Sequence, residues 1–208
     1  MRLCSSGLSI TDELRTTSGA NMKTISMDVL TAAISSDAAT REHMNRVRGY
    51  AVSLALVLGV RNHSLLEAID EAALLHDIGK VAIPSHILNK PDRLTAAEFE
   101  EMKRHVDVGA DMLAQFSLQA SVAPIVRAHH ENWDGTGYLR GLERRAIPLG
   151  ARIVSVVDCF DALTSDRPYR SRIPREEALQ IVQSRKGTMY DPAVVDAFAR
   201  VYDMETES

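Results

Sequence analysis

From about Ser36 to Leu58 the apolar positions return at steps of three and four, and His43, Val47, Tyr50 and Leu54 fall on one face. This spacing predicts a helix with His43 turned toward the core. Ser64-Leu-Leu-Glu67 has the form of a capping box, and the helix it opens sets Leu66, Ile69, Ala73 and His76 on its inner face before Gly79 ends it. Thr95-Ala-Ala-Glu98 repeats the signal ahead of a stripe of Phe99, Met102, Val106 and Leu113, which His105 adjoins. A helix from about Ser121 tolerates Pro124 in its first turn and runs into His129-His130-Glu131. Ile153, Val156, Val157 and Phe160 mark another, with Asp158 and Asp161 about one turn apart. Of two more, one runs from Pro174 to Gly187, and the other has Asp191 as N-cap and Pro192 as its first residue. No stretch sustains a period of two with hairpin turns. The chain therefore reads as all-α, a bundle of about seven helices with an ordered glycine-rich loop from Trp133 to Pro148. Residues 1–22 lack an apolar stripe and read as a tail or linker; residues 23–208 read as one domain.

Composition narrows the function classes. With 208 residues, 45% apolar and 25% charged, the chain is long enough to bury a core and is not a disordered composition. Its longest apolar stretch, Tyr50 to Val60, is bounded by Arg48 and Arg61 and reaches about half of the roughly 20 residues that span a bilayer. No membrane span is expected. The first residues lack the hydrophobic block of a secretory signal, which points to the cytoplasm. A net charge of −4 argues against coating a DNA or RNA polymer, which requires a positive field. Cys4 and Cys159 are too far apart for a cysteine-ligated zinc knuckle or a disulfide framework, so any metal must be held by histidine and carboxylate.

Five of the seven histidines, His43, His76, His105, His129 and His130, fall on or beside inward helix faces. One buried histidine is ordinarily satisfied by a backbone carbonyl. Five of them, with Asp77 and Asp158, make a ligand set suited to Fe, Mn or Zn. Adjacent helical residues diverge by about 100°, so His76 and Asp77 address one ion only where their helix ends. Asp77, with two oxygens, is suited to bridge two cations. Two ions about 3.5–4 Å apart clamp a phosphodiester and generate a hydroxide nucleophile at neutral pH. Lys80, one of only five lysines, is placed to neutralise phosphoryl oxygens. Arg167 and Arg170 lie three residues apart just past the Asp158 helix and suit phosphate oxygens. Trp133 and Tyr138 flank the glycine loop, either to stack on a base or to anchor the loop. His130-Glu131 fails as a zinc-protease motif because Asp134 occupies the second histidine position, and no GxGxxG, P-loop or GxSxG pattern occurs. His63 and His86 read as structural.

The ordered set His43, Leu75-His-Asp-Ile-Gly-Lys80, His105, His129-His-Glu131, Asp134-Gly-Thr-Gly-Tyr138, Asp158 and Ala162-Leu-Thr-Ser-Asp-Arg-Pro-Tyr-Arg170 resembles the HD-GYP family of the HD phosphohydrolases, over roughly residues 25–202. The resemblance implies an HD-type bundle and a bacterial cyclic di-GMP phosphodiesterase that opens the ring to pGpG, and often continues to GMP, by a metal-bridging hydroxide. It implies two divalent ions, Fe or Mn, with Zn or Ni in purified protein. His43, His76, Asp77 and Asp158 would hold one, and Asp77, His105, His129 and His130 the other. Asp77 and Lys80 would be catalytic, and Lys80, Arg167, Arg170 and Tyr138 would bind substrate. GGDEF-type cyclase domains, an upstream sensor domain and a second copy of the chain are the implied partners. Leu139 stands where the family has proline, so the loop loses a fixed φ and a less rigid loop is expected. Ala39 stands where members with a third metal carry glutamate, so two metals and weaker hydrolysis to GMP are expected. Because the ligands say nothing about the base, a phosphodiesterase of 3′,3′-cyclic GMP-AMP or a non-catalytic binding module are the alternative readings.

Overall fold

The computed structural model describes residues 38–116, 118–166 and 171–206. The expected tail at residues 1–22 and both Arg167 and Arg170 lie outside the described residues. Within them the chain forms α1 (Ala38–Val57), α2 (His63–Leu75), α3 (Ser85–Leu88), α4 (Ala96–Lys103), α5 (His105–Leu113), α6 (Val122–Ala128), α7 (Leu149–Thr164), α8 (Arg175–Ser184) and α9 (Pro192–Thr206). Two 3₁₀ turns, Ile78–Ala82 and Arg144–Ala146, complete the secondary structure, apart from one isolated bridge between Lys186 and Tyr190. The all-α reading holds. The helical segments exceed the expected seven because α3 is a single turn and because the stripe from Phe99 to Leu113 is two helices.

The core forms where the periodic positions meet. α1 buries Met44, Val47, Ala51, Leu54 and Ala55 against α2 and α7. α2 contributes Ala68, Ile69, Ala72, Ala73 and Leu75, and α7 contributes Ile153, Val154, Val156, Val157 and Phe160. Each fully buried large side chain contributes about 1.5–3 kcal/mol, which fixes α1, α2 and α7 against one another and with them the residues they carry. α9 closes the other side of α1, capped by Asp191, whose Oδ1 accepts from Ala193 N at 2.9 Å.

Three local expectations change. The cap of α2 is Asn62, whose side chain accepts from Leu65 N at 2.9 Å, so Ser64 lies inside the first turn and Glu67 pairs with His63 at 3.2 Å. The Thr95–Glu98 capping box is present, but its helix stops at Lys103. The Arg104 N–H turns to Glu101 O, three residues back, before α5 restarts at His105. Phe99 is consequently 44% exposed rather than part of the core. Third, α2 ends at Leu75, before Gly79, and Gly79 has another task. A Cβ there would lie 1.9 Å from His105 O and 2.6 Å from Gly109 N. Only glycine lets the 3₁₀ turn lie flat on the α5 backbone.

Candidate metal centre

His76 caps α2, His105 opens α5 and His129 caps α6. All three use one device. The Nδ1–H donates to the carbonyl three residues back: Ala73 O at 2.8 Å, Met102 O at 2.7 Å and Val126 O at 2.6 Å. With Nδ1 committed as donor, each ring turns its Nε2 to the interior. His130 follows His129 at the same helix end, the two ring centroids 4.1 Å apart.

His43 is oriented differently. Its Nδ1–H donates to Asp161 Oδ2 at 2.7 Å, and Arg46, one turn along α1, grips both oxygens of that carboxylate at 2.5 and 3.1 Å. Burial works against the charge of Asp161, yet His43 and Arg46 hold its carboxyl below the usual range. His43 Nε2 then faces Asp158 Oδ1 at 3.5 Å.

Asp77 sits at the joint between α2 and the 3₁₀ turn, where the helical divergence from His76 has relaxed. Its Oδ2 lies 3.4 Å from His76 Nε2 and 2.5 Å from Lys80 Nζ, and its Oδ1 lies 3.5 Å from His105 Nε2. His76 Nε2 is also 3.7 Å from Asp158 Oδ1. Two ligand groups result, Asp77 with His105, His129 and His130, and His43 with His76 and Asp158, each with its ligand atoms within 4.8 Å of one another. All seven candidate ligands are thus brought together, Asp77 lying between the groups. His63 and His86 are exposed and stand apart from the cluster.

Divalent cations fit this donor set. His76 Nε2, His105 Nε2, His129 Nε2 and Asp77 Oδ1 are sealed from solvent without a hydrogen-bond partner. An unpaired buried polar atom costs about 1–3 kcal/mol, and imidazole and carboxylate lone pairs are what a cation satisfies. The field agrees. Burial disfavours charge on His76, but Asp77 and Asp158 outweigh it and hold its pKa up at about 9. Burial pushes His105 and His129 below the ordinary histidine value and His130 down to about 4. Burial also opposes the charge of Asp77, yet Lys80, His76 and His105 keep its carboxyl well below the usual range. His105, His129 and His130 are therefore neutral, as metal binding needs, and the two carboxylates hold on His76 a proton that a bound cation would displace.

The glycine loop closes one side. Glu131 is buried, and its two oxygens accept from Arg140 N at 2.7 Å and Leu142 N at 3.1 Å. Gly137 lies so close to the same corner that a Cβ would meet Asn132 N at 2.2 Å. Tyr138 N donates to His130 O at 3.2 Å, and the Tyr138 ring lies 4.9 Å from that of His130. These bonds hold the loop around Leu139, and the Tyr138–Leu139 peptide is cis. Trp133 serves the loop, its N–H bonded to Met189 O and its ring under Arg152. Burial, with the charges of Asp77 and Asp158, pushes the Tyr138 phenol up, so it remains a donor.

Two functional residues escaped the sequence reading. Arg46 carried a signal, its position one turn from His43 on the same face. Glu131 carried one in standing between two histidines and a glycine loop that needs a fixed end.

Comparison with known proteins gives the class. A family model described as HD domain matches residues 28–194. A cyclic di-GMP phosphodiesterase of Thermotoga maritima is 44% identical over 168 residues, covering 79% of this chain and 45% of that protein. A 3′3′-cGAMP-specific phosphodiesterase of Vibrio cholerae is 36% identical over 166 residues, covering 79% of this chain and 32% of that one. The solved structure of an HDG"Y"P protein from Bdellovibrio bacteriovorus superposes with a TM-score of 0.65 at 21% identity, covering 86% of this chain and 58% of that one, and shows the fold. The chain belongs to the HD domain family and, by its ordered motifs and curated relatives, to the HD-GYP branch within it. It spans less than half the length of those curated relatives.

Proposed function

We propose that this chain is the catalytic domain of a metal-dependent phosphodiesterase that hydrolyses cyclic di-GMP to pGpG, with weaker further hydrolysis to GMP. The observation that carries the reading is the convergence of three sealed imidazole nitrogens and a sealed carboxylate oxygen on Asp77 and its neighbours. His43, His76, Asp77 and Asp158 would hold one ion and Asp77, His105, His129 and His130 the other. Iron or manganese suits the set, with zinc or nickel as substitutes. Bound there, the ions supply Lewis-acid stabilisation of a phosphodiester and activation of water at neutral pH.

The chain's own residues do the rest. Asp161, held by Arg46, keeps His43 in the tautomer that presents Nε2. Lys80 presents its ammonium beside Asp77, where negative charge grows on the phosphoryl oxygens. Tyr138 covers His130 and offers a hydroxyl donor to the substrate. Arg167 and Arg170 take outer phosphate oxygens in this reading. Hydrolysis places the water oxygen on phosphorus and breaks one P–O3′ bond, a water proton ending on the released 3′ hydroxyl. GGDEF-type cyclase domains, a sensor domain and a second copy of the chain are the partners this reading carries, and the cytoplasm is its location.

A second reading changes only the substrate, to 3′,3′-cyclic GMP-AMP, and is favoured by the name of the 36%-identical Vibrio cholerae relative. One experiment tests both. Protein purified anaerobically and reconstituted with Fe(II), Mn(II) or Zn(II) is given a panel of cyclic dinucleotides, with products separated by chromatography and metal counted per chain. Release of pGpG at about two metals per chain is expected. Bound metal without product from any cyclic dinucleotide overturns the catalytic reading and leaves a binding module.

A further inference from the structure

α4 buries none of its residues, yet it carries a phenylalanine. Phe99 is 44% exposed, and isolated apolar residues on a surface need no explanation. Phe99 is not isolated. Its ring meets Tyr138 edge to face at 5.9 Å, Tyr138 covers His130 at 4.9 Å, and His130 lies on His129 at 4.1 Å. An unbroken series of rings runs from the buried centre of the ligand cluster to solvent. One turn along α4, Lys103 places Nζ 5.4 Å from the Phe99 centroid and 5.8 Å from that of Tyr138. Its side chain is only 17% exposed and its ammonium is paired with Glu100 at 2.6 Å. The start of α4 is fixed by the Thr95–Glu98 capping box and by the Lys90–Glu98 pair at 2.6 Å. Aromatic and cation are thus held on a short, anchored helix beside the cluster.

We infer that Phe99 and Lys103 form a wall that receives one nucleobase of the substrate while its phosphate lies at the ligand cluster. The inference rests on the cyclic dinucleotide reading and assigns it two specificity-determining residues. An exposed aromatic stacks on any base, and the larger purine gains more from it. An ammonium next to that stack favours guanine, which turns two acceptors, O6 and N7, to its Hoogsteen edge where adenine offers N7 beside an amino donor. Lys103 therefore selects guanine over adenine, and Phe99 selects purine over pyrimidine.

The test is steady-state kinetics of metal-loaded protein on cyclic di-GMP, cyclic di-AMP and cyclic di-UMP, for the unsubstituted chain, Phe99→Ala, Phe99→Trp and Lys103→Met. Far-UV circular dichroism and metal content check that each variant is intact. For cyclic di-GMP, Phe99→Ala should raise KM about 5- to 150-fold with kcat little changed. KM for cyclic di-UMP should rise less, and Phe99→Trp should restore binding. Lys103→Met should narrow the preference for cyclic di-GMP over cyclic di-AMP. An unchanged KM in Phe99→Ala, in a chain that turns over cyclic di-GMP, overturns the wall and leaves the activity standing. Equal KM rises for purine and pyrimidine rings, or loss of kcat together with metal, make Phe99 a structural anchor and also overturn it. If the unsubstituted chain neither cleaves nor binds any of the three, the activity itself fails and the wall with it.

Discussion

The two ligand groups aim their histidines by different means. In the group of Asp77, His105 and His129 are each aimed by a carbonyl three residues back in the same chain segment. In the other group, His43 is aimed by Asp161, 118 residues away on α7 and itself gripped by Arg46. His76 belongs to the second group and uses the local device of the first. A backbone carbonyl comes with the helix end and cannot be lost by a side-chain change. A carboxylate relay can be, and it ties ligand geometry to the packing of α1 on α7. His76, His105 and His129 are therefore as rigid as their own turns, and His43 only as rigid as a tertiary contact.

The most severe way to break this division is to remove the residue between the groups. If Asp77 serves both ions as proposed, Asp77→Ala takes an oxygen from each, so turnover should fall by about 10³-fold or more and bound metal should drop, read by elemental analysis. Retention of both ions at full occupancy would show that the groups do not depend on Asp77. Gly79→Ala tests the seat of the same turn without removing a ligand side chain. The new Cβ would meet His105 O and Gly109 N, so the turn must lift from α5. Overpacking of about 1–3 kcal/mol should lower Tm by roughly 2–12 °C in a thermal melt, with metal affinity falling alongside.

Asp161→Asn sharpens the comparison directly. It leaves the carbonyl-aimed rings alone and weakens only the relay to His43. Metal affinity should fall about 10- to 100-fold, with far-UV circular dichroism unchanged, and the loss should be confined to one ion in titration calorimetry. Loss of both ions together would contradict the division. The smallest effect lies outside both groups, at Glu98. Bonds from Lys90 and from Thr95 hold its pKa down to about 2, below the unfolded value near 4.5. Such a group contributes its stability in full above the unfolded value and loses it as pH falls toward the folded one. The difference in Tm between the unsubstituted chain and Glu98→Gln should therefore shrink from pH 5 to pH 2.

What the sequence made legible follows the same division. The helix period placed His43, His76 and His105 near the core, and the Asp191 and Thr95 caps read correctly because they are local. The capping box at Ser64 misled because Asn62, two residues earlier, competes for the same free N–H groups and wins. Phe99 looked like core because its period continues through the Arg104 step that turns α4 aside. The roles of Arg46 and Glu131 were missed for another reason. Each acts through partners set by tertiary contact, Asp161 across the bundle for one and two loop N–H groups for the other.

His43 and Arg46 grip a single carboxylate from positions three apart on α1. One residue of helix turns a side chain by about 100° and advances it about 1.5 Å, so a slip of α1 by one position would release both grips at once. The pair works as a two-pin key. It admits one rotation and one height of α1 against α7, and the imidazole facing Asp158 is in place only when the key is seated.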